Sequence, residues 1–225
     1  MCGRFTSLFS PEVLENTFGV QAPPDISPRY NIAPTQQVWI IRGSATGGRH
    51  LSSARWGLVP HWAKDLSIGN RMINARCETV HEKPAFRQSI QTRRCIVPAS
   101  GFFEWTTTPT GKTPHYVTMR DGSPLAFAGI WESWKTSEGE DIETFAILTT
   151  TANCLMAPIH DRMPVILHQT ELELWLERSV NNPLKLQRLY QPYPAELLQE
   201  WAVSTAVNNP AHEKPETITP VEPQP

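Results

Sequence analysis

At 225 residues, with 40% apolar and 19% charged side chains, the chain can bury one sizeable core and is too apolar to be a disordered protein. A formal net charge of −2 argues against indiscriminate nucleic-acid binding. Residues 1–100 nevertheless hold 12 Lys and Arg against 6 Asp and Glu, and residues 101–225 hold 8 against 16, so either a focused basic surface or a dispersed, solvated one is compatible with the total. No apolar run approaches the roughly 20 residues that span a bilayer, and no basic and apolar leader opens the chain. A cytosolic protein, without a membrane partner, is expected.

In chain order, "SPEVLENTFG" predicts a helix capped by Ser10, with Pro11 in its first turn and Gly19 at its end. Val13, Leu14 and Phe18 form its expected buried stripe. "VWII" at 38–41 is a short strand, and "RGSATGGR" is a turn. "KPAFRQSI" at 83–90 predicts one short helix. Extended segments dominate from 51 to 168: "RCIVPAS", "GFFEWT", "HYVTMR", "LAFAGIWESW", "ETFAILTT" and "MPVIL". After 168 the periodicity turns helical. "TELELWLER" carries a capping box of Thr170 with Glu173 and puts Leu172, Trp175 and Leu176 on one face. "NPLKLQRLY" and "YPAELLQEW" each place proline inside a helix start. Residues 208–225 hold five prolines and little apolar content, and are expected to be a disordered tail. The sum is a single α+β domain over 1–207, with a β-rich centre and peripheral short helices.

The four cysteines, Cys2, Cys77, Cys95 and Cys154, show no CxxC spacing, which argues against zinc. Cys2 stands apart by position. Removal of Met1 would leave an α-amine of pKa about 7.7–8.0 beside a thiol of about 8.5. Such a 1,2-aminothiol suits acyl transfer. It also suits aldehyde capture, in which the amine forms an imine and the thiol closes a five-membered thiazolidine. An inert cysteine on a frayed terminus is the alternative.

Glu104 sits among Phe102, Phe103 and Trp105. It is either a desolvated acid/base or the solvent-facing member of an alternating strand. His160, in "APIHDRMP", is a polar group presented by a loop or an ordinary surface histidine. In "INARCET", Asn74, Arg76 and Glu78 share one face if the segment is extended: Asn74 can hold a hydroxyl or carbonyl and Arg76 a phosphate, or all three line a plain polar strand face. Trp62 and Trp105 are candidates for base stacking. Trp131, Trp175 and Trp201 are expected in the core.

Taken in order, "MCGRF", "RYNIAP", "WGLVP", "INARCET", "RRCIVPASGFFEW", "FAILTT", "IHDRMPVIL" and "AVSTAVNN" closely resemble the SOS-response-associated peptidase family, also called abasic-site processing proteins. The resemblance runs over roughly residues 2–209. It implies a compact fold with a twisted, barrel-like β core and a basic groove. It further implies recognition of abasic sites in single-stranded DNA and a lyase-like covalent thiazolidine cross-link through Cys2. No cofactor or metal is implied, and a monomer is expected. The family's motif residues fall on Cys2, Asn74, Glu104 and His160. Arg4, Arg76 and Arg162 are implied as phosphate contacts, Trp105 and Trp62 as stacking groups, and Asn31 as a further DNA contact. Two rival functions remain open: a thiol peptidase built from Cys2, His160 and Asn74, and a reversible binder of single-stranded or modified DNA.

Overall fold

A computed structural model describes residues 2–221 apart from 25, 45, 46, 110 and 181. The elements are β1 (Phe5–Ser7), α1 (Pro11–Phe18), β2 (Arg29–Ile32), β3 (Gln37–Gly43), β4 (Arg49–Trp56), β5 (Asn74–Arg76), α2 (Ser89–Thr92), β6 (Arg94–Ala99), β7 (Gly101–Thr108), β8 (Gly111–Met119), β9 (Leu125–Lys135), β10 (Asp141–Thr151), β11 (Arg162–Pro164), α3 (Leu172–Leu176), α4 (Pro183–Gln187) and β12 (Leu198–Ala202). Strands β10, β4, β3, β6 and β9 pair in that order, and β9 pairs again with β10, which closes a five-stranded barrel. Closure leaves those strands without an unpaired edge. Strands β5 and β11 add to β10 outside the ring. A second sheet runs β12-β8-β7-β1-β2. This is the α+β, barrel-cored single domain that the sequence led us to expect.

Strands β6 and β9 are buried on both faces along almost their whole length, whereas β4 is largely polar and half-exposed. Ile40, Trp56, Val97, Phe127 and Phe145 pack with Phe5, Phe102 and Val117 of the second sheet. Phe5 stands edge-on to Trp56, with ring centres 5.0 Å apart. Ile41, Ile96, Ala128 and Leu148 pack with Leu14 and Phe18 of α1 and Leu172 and Trp175 of α3. Among the described residues, no helix is long and apolar enough to cross a membrane.

Helix α1 starts and stops as its caps dictate: Ser10 accepts from the Val13 amide and Gly19 takes φ 66°. Val13 is exposed, so the buried stripe is Leu14 and Phe18 alone. In the 83–90 segment only Ser89–Thr92 closes into α-helix, preceded by isolated turns. The expected capping box lies two residues early: His168 and Glu171 form it, and Leu172, Trp175 and Leu176 are buried as expected. Two of the residues in the "RGSATGGR" turn, 45 and 46, lie outside the described residues.

Two expectations are corrected. "YPAELLQEW" is not a helix. After a single turn at Ala195–Leu197 it becomes β12, antiparallel to β8 from Leu198↔Met119 to Ala202↔His115. The open edge of β8 supplies a full ladder that outweighs the helical leaning of Ala, Glu, Leu and Gln. The segment 208–221 is not a free tail. Pro215–Ile218 forms a turn, Thr217 is fully buried, and Val203 bridges Pro220. Its anchors are polar groups, which an apolar count does not register. Residues 222–225 lie outside the described residues.

Gly101 marks the closest approach in the second sheet. A Cβ there would lie 2.3 Å from Tyr116 Cζ and 2.4 Å from its hydroxyl oxygen. The ring cannot yield, because its hydroxyl is 2.8 Å from Thr6 Oγ1 and it packs against Phe103 and Trp201. Gly101→Ala is therefore expected to cost about 2 kcal/mol or more, read as a lower denaturation midpoint. An unchanged midpoint would show that the ring has room to move.

Candidate active site

The chain is held from Cys2 onward. Cys2 has no exposed surface and belongs to the inter-sheet core with Phe5 and Phe102. Its Sγ lies 3.9 Å from the Arg4 carbonyl, and Asn74 Nδ2 donates to the Cys2 carbonyl at 2.8 Å. Two independent strands thus fix the residue. β1 docks on β7, with Phe5 opposite Phe102, and the adjoining Phe103 amide donates to the Arg4 carbonyl. β5 runs parallel to β10, with Asn74 opposite Ile147. Asn74 Oδ1 is buried and has no partner among the described residues.

Glu104 is 2% exposed. In β7 it shares a face with Phe102, so it points to the side that holds Cys2, while Phe103 faces the opposite cluster. Of the two roles the sequence left open for it, the structure has the buried carboxylate. Burial pushes its pKa up to about 7, and the negative charge of Asp161 adds to that rise. Burial also pushes the Cys2 thiol well up, with Glu104 as the second cause. These electrostatic links place Cys2, Glu104 and Asp161 in one neighbourhood.

His160 precedes β11, where Arg162 pairs with Thr151 of β10. Its Nδ1 is 3.0 Å from the Arg162 amide nitrogen and 2.8 Å from Asp161 Oδ1. The two contacts ask opposite things of Nδ1. The amide is fixed in the backbone, whereas the Asp161 side chain is 81% exposed and well screened. We therefore assign Nδ1 as acceptor, which leaves the proton of the neutral ring on Nε2. Burial lowers the His160 pKa, in keeping with a neutral ring.

The other expected site residues divide. Arg76 is exposed beside Asn74, with buried Ala75 between them on the opposite face, as strand alternation requires. Trp62 is 52% exposed and lines a cavity of about 590 Å³ with Lys64, Arg71 and Met72. Trp105 is half-buried, and its Nε1 donates to Asn208 Oδ1. Arg162 is 8% exposed and makes a bidentate pair with Glu78, plus a bond to the Thr149 carbonyl at 2.6 Å. Asn31 is fully buried: its Oδ1 accepts from Arg4 Nη1 at 2.8 Å and its Nδ2 faces the carbonyls of Val207, Asn209 and His212. Asn31 therefore holds a neighbouring arginine rather than facing solvent. Trp175 is in the core as expected, whereas Trp131 and Trp201 are only partly buried. Glu78 and Asp161 stand in motifs that the sequence singled out without giving either a role; the structure pairs Glu78 with Arg162 and sets Asp161 beside His160. Their signal was adjacency to Cys77 and His160. Among the described residues, no cluster of His, Cys, Asp and Glu is arranged to hold a metal.

A family model described as SOS response associated peptidase (SRAP) matches residues 1–210. The chain is 44% identical over 223 residues to the abasic site processing protein YoqW of Bacillus subtilis, covering 97% of this chain and 99% of that protein. It is 30% identical over 228 residues to the abasic site processing protein YedK of Escherichia coli, covering 98% and 100%. A crystal structure of a protein from Bacteroides thetaiotaomicron superimposes with a TM-score of 0.89 at 28% identity, covering 98% of this chain and 100% of that one.

Proposed function

The chain belongs to the SOS response associated peptidase family, and from that premise we propose that it captures abasic sites in single-stranded DNA as a covalent thiazolidine. The observation that carries this is the gripped terminus: Cys2 is held by Asn74 in the core beside a carboxylate with a pKa of about 7. An inert terminal cysteine needs neither.

Hydrolysis of the Met1–Cys2 bond converts the Cys2 amide nitrogen into an amine. That amine attacks the C1′ aldehyde of the opened abasic sugar, and loss of one water gives the imine. The Cys2 sulfur then adds to the same carbon, the imine nitrogen takes up a proton, and the five-membered ring closes. Glu104, near half-ionised at neutral pH, takes and returns protons at the amine and the departing hydroxyl. His160 Nε2–H donates to the sugar oxygen as the ring opens, and Asn74 Oδ1 accepts from a sugar hydroxyl. Arg76 and Arg4 meet the phosphates, and Trp62 and Trp105 offer faces to the flanking bases. Bending and unstacking the backbone around the lesion costs least without a complementary strand.

The thiol-peptidase alternative predicts turnover of a peptide by the Met1-trimmed protein, abolished in Cys2→Ala, and needs no DNA adduct. The test is intact mass spectrometry before and after incubation with single-stranded DNA carrying one abasic site. Loss of Met1, and a denaturation-stable species at the mass of protein plus DNA less one water, are expected. A Met1-trimmed protein with no adduct would overturn the proposal and favour hydrolysis or reversible binding.

A further inference from the structure

Residues 205–213 join the two aromatic and cationic groups expected to meet DNA to the far end of the chain. Arg4 Nη1 donates at 2.8 Å to both Asn31 Oδ1 and the Val207 carbonyl. Trp105 Nε1 donates at 2.8 Å to Asn208 Oδ1. The segment is locked by Glu213. One carboxylate oxygen accepts from the successive amides of Tyr30 at 2.7 Å and Asn31 at 3.1 Å, and the other pairs with Arg29 at 3.1 Å. Strand β2 is the edge of the second sheet, and its register with β1 shifts at this point, which turns both amides toward one acceptor. Asn31 closes the circuit by donating to the carbonyls of Val207, Asn209 and His212.

We infer that the 205–213 segment is a strap that sets Arg4 and Trp105 for DNA, with Glu213 as its positioning residue. Glu213 lies beyond the last residue matched by the family model. It is 182 residues from Asn31 in sequence, so neither motif nor spacing marks it. Two of the contacts at Arg4 come through the strap or through Asn31, and both depend on the edge of β2 staying where Glu213 holds it. The inference rests on the DNA-binding reading above, and it concerns affinity rather than the covalent step.

The test compares wild type, Glu213→Ala, Glu213→Gln, Arg4→Ala and the Arg4→Ala/Glu213→Ala pair. Binding to single-stranded DNA with an unreactive tetrahydrofuran abasic analogue is read by anisotropy over a salt series, and single-turnover cross-linking to a true abasic site is read against DNA concentration. Glu213→Ala is expected to weaken binding and raise the half-saturating DNA concentration about 5- to 10-fold, with the limiting rate within about 2-fold of wild type. The slope of log affinity against log salt should fall by about 0.7, the loss of one phosphate contact on a single strand. Glu213→Gln keeps an acceptor for the amides and should recover most of the affinity. In the Arg4→Ala background, Glu213→Ala should add little. Loss of active fraction with unchanged affinity and salt slope would mean that Glu213 only holds the fold, and would overturn the inference. Wild type that binds the analogue but forms no adduct would strike the thiazolidine proposal and leave the strap result readable. Wild type that does not bind the analogue would overturn both.

Discussion

Cys2→Ala is expected to form no DNA adduct that survives denaturation, a loss of at least about 1,000-fold in yield at fixed time. Trimmed of Met1, this variant still offers an α-amine, so an imine with the abasic aldehyde can form, but no sulfur closes the ring. Cys2→Ser makes the sharper comparison. Its hydroxyl is a far weaker nucleophile than a thiol, so the adduct stays at the imine and hydrolyses. Borohydride reduction should trap it, giving a stable amine only when reductant is present. Wild-type adduct should resist both heat and reductant because the thiazolidine has no C=N bond to reduce. A Cys2→Ser adduct as stable as wild type without borohydride would rule the ring out. The substitutions are not structurally neutral, since Cys2 is wholly buried in the inter-sheet core. Removing the sulfur should cost about 1–2 kcal/mol of stability, well short of unfolding, so the lost adduct is not a lost fold.

That the site can be tested residue by residue reflects which parts of it the sequence exposed. Asn74, Ala75 and Arg76 alternate across β5 with ordinary strand period, so the pair of polar residues on one face was legible. Glu104 was not. Its strand is buried on both faces, with Phe102 in one cluster and Phe103 in the other, and a period-2 pattern carries no sign when both sides are apolar. Only the second sheet, brought by β1 and β8, decides that Glu104 faces Cys2. The same limit explains β12. Leu198 to Ala202 has helical composition, and its state is set by β8, some 80 residues earlier. The 208–221 segment was misjudged for the opposite reason. It has little apolar content, but Glu213 and the carbonyls around Asn31 supply directional bonds that do not depend on apolar area.

Glu104→Gln should separate the chemistry from the fold, because the two respond in opposite directions. For cross-linking, the variant keeps shape and loses the exchangeable proton. A rate loss of about 100-fold or more is expected, together with loss of any inflection near pH 7 in the wild-type pH profile. For stability, the sign follows from a folded pKa of about 7 against an ordinary value of 4.5. Below about pH 4.5 both folded and unfolded states hold the proton, and nothing is lost. Between 4.5 and 7 the unfolded state ionises while the folded state does not, so stability falls as pH rises, and it levels off above 7. The full difference is about 3 kcal/mol. Glutamine cannot ionise and escapes that loss. The stability of Glu104→Gln relative to wild type should therefore rise by about 2–3 kcal/mol between pH 4.5 and pH 8, measured by urea denaturation at each pH. A gap that does not change with pH would mean that Glu104 is ionised in the folded protein, and its assignment as the proton carrier would fall. A gap that widens while cross-linking collapses would show why a carboxylate persists at a position where an amide is more stable: the fold tolerates the charge because the reaction needs the proton.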